Sequence, residues 1–344
     1  MILSVCIPTY NRAVLLKETL VCLLSVIPKS EAGKVEIVIS DNGSTDHTEA
    51  IVNELIKTSP IAINYFKIQE NVGYDRNCMQ VMQCSSGQYC WLLGDDDLPT
   101  PNSIVTLLDE IRKNENVDVY LGNKEDFYCV PSQSMKSKKI LDLSETKIFN
   151  FTGPQAIIDY LQMNRYLIGL FNFISILVIR REAWMAVKNY EKHLESKYIH
   201  IYMVMSILWG RKGRLKYLPA VLVKRRWGND LTAGMSERLH HDVNTYYGFS
   251  QEILKDPKIV RYVNKLSIKN DVFSWAVRAR VQDINKFYFV DFPFLFSHYW
   301  SLPIFWFKIF PLLFVPGTVL KIARGLYRII IKRETIGLRE ACSC

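Results

Sequence analysis

Residues 89–99 have the sequence YCWLLGDDDLP, in which an apolar run passes directly into three consecutive aspartates. The run from Tyr89 to Leu93 predicts a buried strand that ends in a turn at Gly94. Adjacent carboxylates repel one another unless a cation lies among them, and carboxylate oxygens suit Mg²⁺ or Mn²⁺. The aspartates therefore predict a divalent metal site and a phosphate-bearing substrate. A solvated turn between Gly94 and Pro99 is the alternative that fits this motif alone.

Upstream of the aspartates, strand and helix patterns alternate, which is typical of a parallel sheet covered by helices. Strands are predicted at Leu3 to Pro8, Val35 to Ser40 and Ala62 to Ile68. Polar clusters follow the first two, PTYN at 8–11 and DNGS at 41–44. Because ligands of open α/β sheets bind beyond the carboxyl ends of the strands, these clusters and the aspartates are predicted to converge.

Beyond residue 117 the pattern is mixed, with predicted strands at Val117 to Leu121, Phe173 to Ile179 and Tyr217 to Lys224. From about residue 240 onward it is helical. A chain of 344 residues suits a catalytic domain of about 200 to 250 residues with an appendage.

Composition excludes several classes of protein. A hydrophobic fraction of 49% with 12% aromatic residues excludes a disordered chain. The net charge is +9, but lysine and arginine are spread along the chain without a glycine-aromatic RNA-binding signature, so no nucleic-acid partner is predicted. The eight cysteines show no zinc-ribbon or C-x-x-C spacing, and no export leader is recognised. A reducing, cytoplasmic compartment is predicted.

Four ordered motifs resemble the family-2 nucleotide-sugar glycosyltransferases, which have the GT-A fold. The matching stretches are Pro8-Thr9-Tyr10-Asn11, Ser40 to Asp46, Asn71-Val72-Gly73 with Arg76-Asn77, and Gly94-Asp95-Asp96-Asp97 at the position of that family's Asp-x-Asp metal motif. The resemblance covers about residues 1–125, weakens to about 226 and is absent beyond.

The resemblance implies an α/β fold, a Rossmann-like, mostly parallel sheet covered by helices, in a GT-A catalytic domain over residues 1–235. Residues 1–125 would form the nucleotide-sugar half and 126–235 the acceptor half. Residues 236–344 would form a helical, membrane-associating appendage.

On the donor side, the resemblance implies a role for each matching residue. Pro8, Thr9, Tyr10 and Asn11 would line the base and ribose pocket, and Asp41 would bind the nucleobase. Arg76 would lie near the diphosphate or sugar, and Asn71 would be a further donor-binding residue. Asp96 would bind the metal that bridges the two phosphates, with Asp95 on the ribose or metal. Asp97 would lie near the sugar as a third possible ligand and a catalytic candidate. The family more often has aspartate where this chain has Gly94, so which carboxylates ligate stays open.

Inverting members of the family carry an acidic base, usually in a Glu-Asp pair that begins a helix about a hundred residues after the metal motif. The matching helix here reads KYIHIY at 197–202, with His200 at the position of the base. Imidazole can act as a general base near neutral pH, but a structural histidine fits this partly apolar helix equally well. Glu195, Glu125 and Asp126 are the alternatives, and a retaining reaction needs no base.

The triple aspartate, with Phe173-Ile174-Ser175 and Arg225 to Asp230, also resembles bacterial transferases that build O-antigen or capsule repeat units, some of which transfer abequose. That resemblance implies a polyprenyl-diphosphate-linked glycan acceptor. Trp227, Asn229 and Asp230 are the acceptor-binding candidates, because tryptophan stacks on sugar faces and the polar pair can bind hydroxyls. A core tryptophan followed by a simple turn is the alternative.

The segment from about 287 to 336 is aromatic and then basic. Pro303, Lys308, Pro311 and Pro316 interrupt it, so it lacks the roughly 20 apolar residues of a spanning helix. We expect it to lie on an anionic membrane surface at the inner face of the cell membrane. Packing of these aromatics against the catalytic domain or another subunit is the alternative.

The leading hypothesis is transfer of a sugar from a nucleotide-diphosphate sugar to a hydroxyl of a lipid-linked glycan. An inactive scaffold that binds nucleotide-sugar or glycan is the second, favoured by the missing acidic pair near His200. A nucleotidyltransferase is the third, but the glycine-rich, basic phosphate loop expected after its first strand is not seen at 8–11.

Overall fold

The computed structural model describes residues 1–127, 139–164, 170–226 and 234–322. The chain divides into two compact units. Met1–Met163 with Ile168–Trp227 form the sheet unit, and Asn164–Leu167 with Gly228–Cys344 form the helical unit.

The sheet unit contains nine strands and seven helices among the described residues. The strands are β1 (Leu3–Thr9), β2 (Val35–Asp41), β3 (Ala62–Lys67), β4 (Tyr89–Leu92), β5 (Leu98–Pro99), β6 (Val119–Phe127), β7 (Lys147–Asn150), β8 (Leu177–Arg180) and β9 (Arg214–Arg226). The helices are α1 (Ala13–Val26), α2 (Thr48–Thr58), α3 (Tyr74–Gln83), α4 (Ser103–Arg112), α5 (Pro154–Met163), α6 (Arg181–Met185) and α7 (Ile199–Met205).

All nine strands belong to one sheet, in the order β3-β2-β1-β4-β8-β6-β9-β5, with β7 also paired to β9. The first four strands are parallel, and β8 pairs antiparallel with both β4 and β6. Every residue of β1, β2 and β4 is buried, as expected for parallel strands covered on both faces. The predicted α/β class with a parallel sheet is confirmed, and the later strands add antiparallel pairs to it.

One predicted strand is wrong over part of its length. Phe173 to Ile179 was expected to be extended, but Ile174–Ile176 form a 3₁₀ turn and β8 begins only at Leu177. The turn is stabilised because the Ser175 carbonyl accepts a hydrogen bond from Trp91 Nε1 at 2.8 Å, and its hydroxyl lies among the aspartates. These contacts come from residues distant in sequence, so the local pattern does not show them.

Six α-helices of the helical unit have both ends within the described residues. They are α8 (Met235–Leu254), α9 (Pro257–Ser267), α10 (Phe273–Gln282), α11 (Ile284–Lys286), α12 (Phe292–Tyr299) and α13 (Pro303–Lys308). Side chains from α8, α10, α12 and α13 bury one apolar core, which includes Leu239, Ala276, Leu295 and Phe305. None of the helices in the described part of the chain has the length and apolar character needed to cross a membrane.

Candidate active site

The polar clusters that follow the parallel strands meet at one edge of the sheet. Thr9, which ends β1, donates its hydroxyl to Asp95 Oδ2 at 2.8 Å. Asn42, which follows β2, donates to Asn71 Oδ1 at 2.8 Å and accepts from the Val72 amide at 2.9 Å. Asn77 donates to the Thr9 carbonyl at 3.3 Å. The structure thus brings together the segments that sequence reasoning placed in a common crevice.

The loop after β1 is fixed to the loop after β2 by reciprocal hydrogen bonds. Asn11 adopts a left-handed conformation (φ 51°), accepts from the Thr45 amide at 2.8 Å, and its own amide donates to Ser44 Oγ at 2.8 Å. Asp46 accepts from the Ala13 amide at 3.0 Å. These bonds leave Tyr10 exposed at the edge of the crevice and hold Arg12 beside the aspartates.

Asp41 is completely buried at the end of β2. Its Oδ2 accepts from the Tyr65 hydroxyl at 2.5 Å and its Oδ1 accepts from the Ser44 amide at 2.8 Å. Burial together with the hydrogen bond to Asp41 raises the pKa of Tyr65. These hydrogen bonds therefore fix the position of the Asp41 side chain, the residue predicted to bind the nucleobase. Sequence reasoning missed Tyr65.

Two further donor-side candidates, Asn71 and Arg76, lie at the exposed rim. Asn71 Oδ1 also accepts from the Gly73 amide at 2.9 Å, which stabilises the turn before α3, and Arg76 lies in the first turn of that helix. The left-handed Gly43 (φ 78°) permits this arrangement, since a Cβ there would lie 2.9 Å from the Glu70 backbone.

Arg12 is the cation that lies among the aspartates. Its Nη1 is 2.9 Å from Asp95 Oδ1 and 3.2 Å from Asp96 Oδ2. Burial raises the pKa of Asp95, and the charge of Arg12 opposes that effect. Sequence reasoning missed Arg12, although it directly follows the matching PTYN motif.

Asp97 points away from Arg12 into the protein. Its Oδ2 accepts from Ser175 Oγ at 2.5 Å and its Oδ1 from the Arg226 amide at 3.4 Å. Burial and the nearby charge of Asp96 raise the pKa of Asp97 to about 7. A Cβ on residue 94 would lie 2.8 Å from Asp97 Oδ2 and 3.3 Å from Ser175 Oγ, so a larger residue there would displace this hydrogen-bonded pair.

The three aspartates differ in their ability to bind a metal. The Asp96 side chain is 18% exposed, and the Asp95 side chain is 8% exposed. Both oxygens of Asp97 accept hydrogen bonds from other residues of the protein. Among the described residues, no three acidic, histidine or cysteine side chains are grouped as metal ligands. A Mg²⁺ or Mn²⁺ ion bound by one or two carboxylates takes its other ligands from water and substrate phosphates. Asp96, the most exposed of the three, fits such an ion, whereas Asp95 would have to give up its contact with Thr9 or Arg12 to become a second ligand.

The candidate bases lie in different surroundings. His200 is buried, and burial lowers its pKa to about 4 despite the opposing effect of the Asn172 backbone. Glu195 is exposed in the segment before α7. Asp126 accepts from Lys124 Nζ at 2.5 Å and from Arg225 Nε at 2.7 Å, so its charge is compensated by two cations.

A carboxylate does lie at the start of α7, but α3 supplies it. Asp75 accepts hydrogen bonds from the Lys197 amide at 2.8 Å, the Ile199 amide at 3.2 Å and Ser196 Oγ at 3.3 Å. Burial raises the pKa of Asp75. Sequence reasoning looked for an acidic residue within the helix and missed one 122 residues away from Lys197.

On the acceptor side, Trp227, Asn229 and Asp230 lie outside the described residues. The neighbouring end of β9 is basic and contacts two aromatic rings, with Arg225 5.7 Å from the centre of Phe173 and Arg226 4.9 Å from that of Phe127. Lys124 is buried beside them, and burial lowers its pKa to about 8.

Comparison with known proteins identifies the family. The model of glycosyl transferase family 2 matches residues 4–177, about half of the chain. Abequosyltransferase RfbV of Salmonella typhimurium is 30% identical over 303 residues, which cover 84% of this chain and 89% of that protein. The GalNAc(5)-diNAcBac-PP-undecaprenol beta-1,3-glucosyltransferase of Campylobacter jejuni is 32% identical over 122 residues, 35% of this chain and 37% of that protein.

Solved structures show the same fold. S. aureus TarS 1–349 superposes with a TM-score of 0.59 at 14% identity, covering 83% of this chain and 75% of that one. The mannosyltransferase PcManGT of Pyrobaculum calidifontis, in complex with GDP-Man and Mn²⁺, superposes with a TM-score of 0.52 at 15% identity, covering 82% and 75%. The predicted GT-A fold is confirmed. The chain belongs to glycosyl transferase family 2.

Proposed function

We propose that this glycosyltransferase moves a sugar from a nucleotide-diphosphate sugar to a hydroxyl of a lipid-linked glycan in bacterial surface polysaccharide synthesis. The observation that carries the proposal is the convergence of Thr9, Asp41 and Asn71 with the three aspartates at the carboxyl edge of a parallel sheet. An abequosyltransferase related over most of the chain supports the polysaccharide assignment, and a relative named for an undecaprenol-PP substrate supports the lipid-linked acceptor.

These contacts support a donor site at this edge of the sheet. Asp41, held by Tyr65 and Ser44, is the proposed nucleobase contact, and because it is completely buried its surroundings have to move before a base can reach it. The loop around Tyr10 lines the base and ribose, and Arg76 lies at the rim for the diphosphate or sugar. A TarS structure in complex with UDP-GlcNAc, which shares the fold, supports a nucleotide-sugar donor.

Asp96 would hold a divalent metal when the donor binds, and Asp95 is the proposed second carboxylate. Such an ion stabilises the charge on the departing nucleoside diphosphate. The Mn²⁺ of the related mannosyltransferase complex supports this proposal. Arg12 contacts both carboxylates and compensates one of their two negative charges, so it holds them in place before donor and metal arrive.

His200 is proposed as a structural residue. A buried imidazole with a pKa of about 4 is neutral at pH 7, but it lies edge-on to Tyr74 at 6.3 Å between ring centres, packed within the protein. The exposed Glu195 is a base candidate with solvent access. A stereochemical assay shows whether the reaction needs a base at all, because an inverted product anomer requires a base and a retained one does not.

Thermal stabilisation by UDP, GDP, CDP and dTDP, each with and without Mn²⁺, tests the donor site. A ligand that binds only the native protein raises the Tm by mass action. We expect one diphosphate to raise the Tm in a Mn²⁺-dependent manner, and Asp96→Asn to remove the dependence on metal. Asp109→Asn, an exposed substitution of the same kind on α4, is the control. An equal shift in Asp96→Asn would exclude Asp96 as metal ligand.

We also propose that the helical unit docks on the inner face of the membrane. Several large apolar side chains of this unit are exposed, including Phe289, Trp300, Phe307 and Phe314. Exposed aromatic side chains of this kind are typical of interfacial membrane binding. Such docking brings the enzyme to a lipid-linked acceptor.

A further inference from the structure

The carboxylate of Asp41 offers no open position to a ligand in this structure. Its side chain is completely buried, Oδ1 accepts from the Ser44 amide at 2.8 Å, and Oδ2 accepts from the Tyr65 hydroxyl at 2.5 Å. A nucleobase that binds to Asp41 therefore has to replace one of these two donors. The contacts of Ser44 and of Tyr65 with their other neighbours decide which of the two gives way.

Ser44 is held in place by several contacts. Its Oγ accepts from the Asn11 amide at 2.8 Å, and the amide of the next residue, Thr45, donates to Asn11 Oδ1 at 2.8 Å. The preceding residue, Gly43, is left-handed (φ 78°) and lies against the backbone of Glu70. Moving the Ser44 amide away from the carboxylate would break the connection between the two loops that line the crevice.

Tyr65 is held less firmly. It lies on β3, which pairs with β2 at the edge of the sheet. The side chain is partly exposed, and the two residues that follow it, Phe66 and Lys67, are exposed. Among the described residues, Asp41 is the hydrogen-bond partner of the Tyr65 hydroxyl. A change of rotamer that carries the hydroxyl into water therefore breaks a single hydrogen bond.

The hydroxyl of Tyr65 and the N–H of a nucleobase are equivalent donors for Asp41. Burial and the hydrogen bond to Asp41 raise the pKa of Tyr65, so its hydroxyl stays protonated and neutral. A nucleobase N–H is neutral too, so the exchange leaves the charge around the carboxylate unchanged. Departure of Tyr65 without a replacement would leave a buried acceptor short of one donor. Departure of the hydroxyl is thus coupled to arrival of the base.

We infer that Tyr65 occupies the position of the nucleobase on Asp41 Oδ2 and that its hydroxyl leaves when the base arrives. The inference rests on the proposed nucleobase contact of Asp41. Because the base has to displace an existing hydrogen bond, the affinity for the donor nucleotide is lower than it would be without the hydroxyl. Ligands that lack a base do not displace it. Tyr65 therefore determines specificity for the nucleotide part of the donor.

Isothermal titration calorimetry of Tyr65→Phe tests the inference, with Mn²⁺ and whichever of UDP, GDP, CDP and dTDP binds most tightly to the wild-type protein. We expect the variant to bind that nucleotide about tenfold more tightly, the effect of removing one competing hydrogen bond. The Tm without ligand is expected to fall, because the buried Asp41 carboxylate loses a donor, and the nucleotide is expected to raise the Tm by more than in the wild type. A tyrosine that only stabilised the fold would lower the Tm without increasing the affinity.

Two controls show whether the effect belongs to the base and to this tyrosine. Inorganic pyrophosphate with Mn²⁺ has no base, so its affinity is expected to be equal in Tyr65→Phe and in the wild type. Tyr89→Phe removes a hydroxyl that donates to the Val117 carbonyl at 2.6 Å, at the end of β4 away from the site. This variant is expected to bind the nucleotide as the wild type does.

Equal or weaker binding of the nucleotide by Tyr65→Phe would overturn the inference, and so would a gain in affinity that pyrophosphate shares. Either result would leave the proposed donor site intact, since the nucleotide still binds to the wild-type protein. A wild-type protein that binds none of the four nucleotides would instead overturn the proposed donor site, and the inference with it.

Discussion

At the scale of single residues, Arg12 acts as the internal counter-ion of the metal motif. Removing it leaves Asp95 and Asp96 adjacent and uncompensated, at side-chain exposures of 8% and 18%. We predict that Arg12→Ala lowers the free energy of unfolding by about 1 to 2 kcal/mol in metal-free buffer. Added Mn²⁺ should restore part of the loss, because the ion supplies the missing positive charge.

Denaturant titration with EDTA and with Mn²⁺ measures both effects. Lys67→Ala, which removes an exposed ion pair with Glu49, is the control. Its free energy of unfolding should be the same in EDTA as in Mn²⁺. A loss in Arg12→Ala that Mn²⁺ leaves unchanged would contradict the assignment of Asp95 and Asp96 as a metal site.

His200 makes a separate residue-scale prediction about pH. Its pKa is about 4 in the folded protein, against about 6.5 for an unperturbed histidine. The unfolded chain therefore binds a proton between pH 6.5 and pH 4 that the folded protein does not. The contribution of His200 to the free energy of unfolding is fully present above pH 6.5. It decreases as the pH falls towards 4, by about 3 kcal/mol. His200→Leu should flatten that part of the pH profile.

Urea unfolding at pH 7 and at pH 4.5 measures the difference. His47→Leu serves as the control, because His47 is exposed. An unchanged pH profile in His200→Leu would show that burial does not control this imidazole, and would return His200 to the list of candidate bases.

At the scale of elements, Asp75 couples two helices that are far apart in sequence. It lies in the first turn of α3 and accepts hydrogen bonds from the amides that begin α7. Loss of a helix cap typically costs about 0.5 to 2 kcal/mol. We predict a loss in this range for Asp75→Ala, with a smaller loss for Asp75→Asn, whose amide oxygen still accepts. Denaturant titration measures it.

Hydrogen exchange at α7 distinguishes this coupling from a general loss of stability. Faster exchange is expected at Lys197 and Ile199 in Asp75→Ala. Asp256→Ala, which removes the cap of α9 in the helical unit, is the control and should leave α7 unchanged. Equal exchange at α7 in the two variants would mean that Asp75 does not hold the start of that helix.

At the scale of the whole molecule, the aromatic C-terminal segment has two separable roles. Leu295, Tyr299 and Phe305 are buried in the core of the helical unit, whereas Phe307 is 82% exposed. Deleting everything after residue 290 is therefore expected to unfold the helical unit, and loss of membrane binding in that truncation says nothing about docking. Point substitutions at exposed positions are the informative test.

We predict that Phe307→Ser with Phe314→Ser leaves the Tm unchanged and releases the protein from vesicles of mixed anionic composition. The physical reason is that both side chains are exposed, so they contribute to membrane insertion and little to folding. Val14→Ser with Val21→Ser, on the exposed side of α1, is the matched control. Vesicle binding that survives the double aromatic substitution would rule out docking through these residues.

Local patterns alone predict the strands β1, β2 and β4, the polar loops at their ends and the helical character after residue 240. These features depend on hydrophobic periodicity and turn residues, which act over a few neighbours in sequence. The convergence of the loops also follows, because parallel strands place their carboxyl ends at one edge.

The contacts that set the chemistry of the site depend on long-range packing instead. The turn at Ser175 replaces the first part of a predicted strand, Arg12 reaches Asp95 and Asp96, and Asp75 of α3 accepts hydrogen bonds at the start of α7. Burial lowers the pKa of His200, which no pattern in its own helix shows. Solvent exclusion and pairing of charges arise only when distant segments pack together, so these properties come from the folded structure and not from any local stretch of sequence.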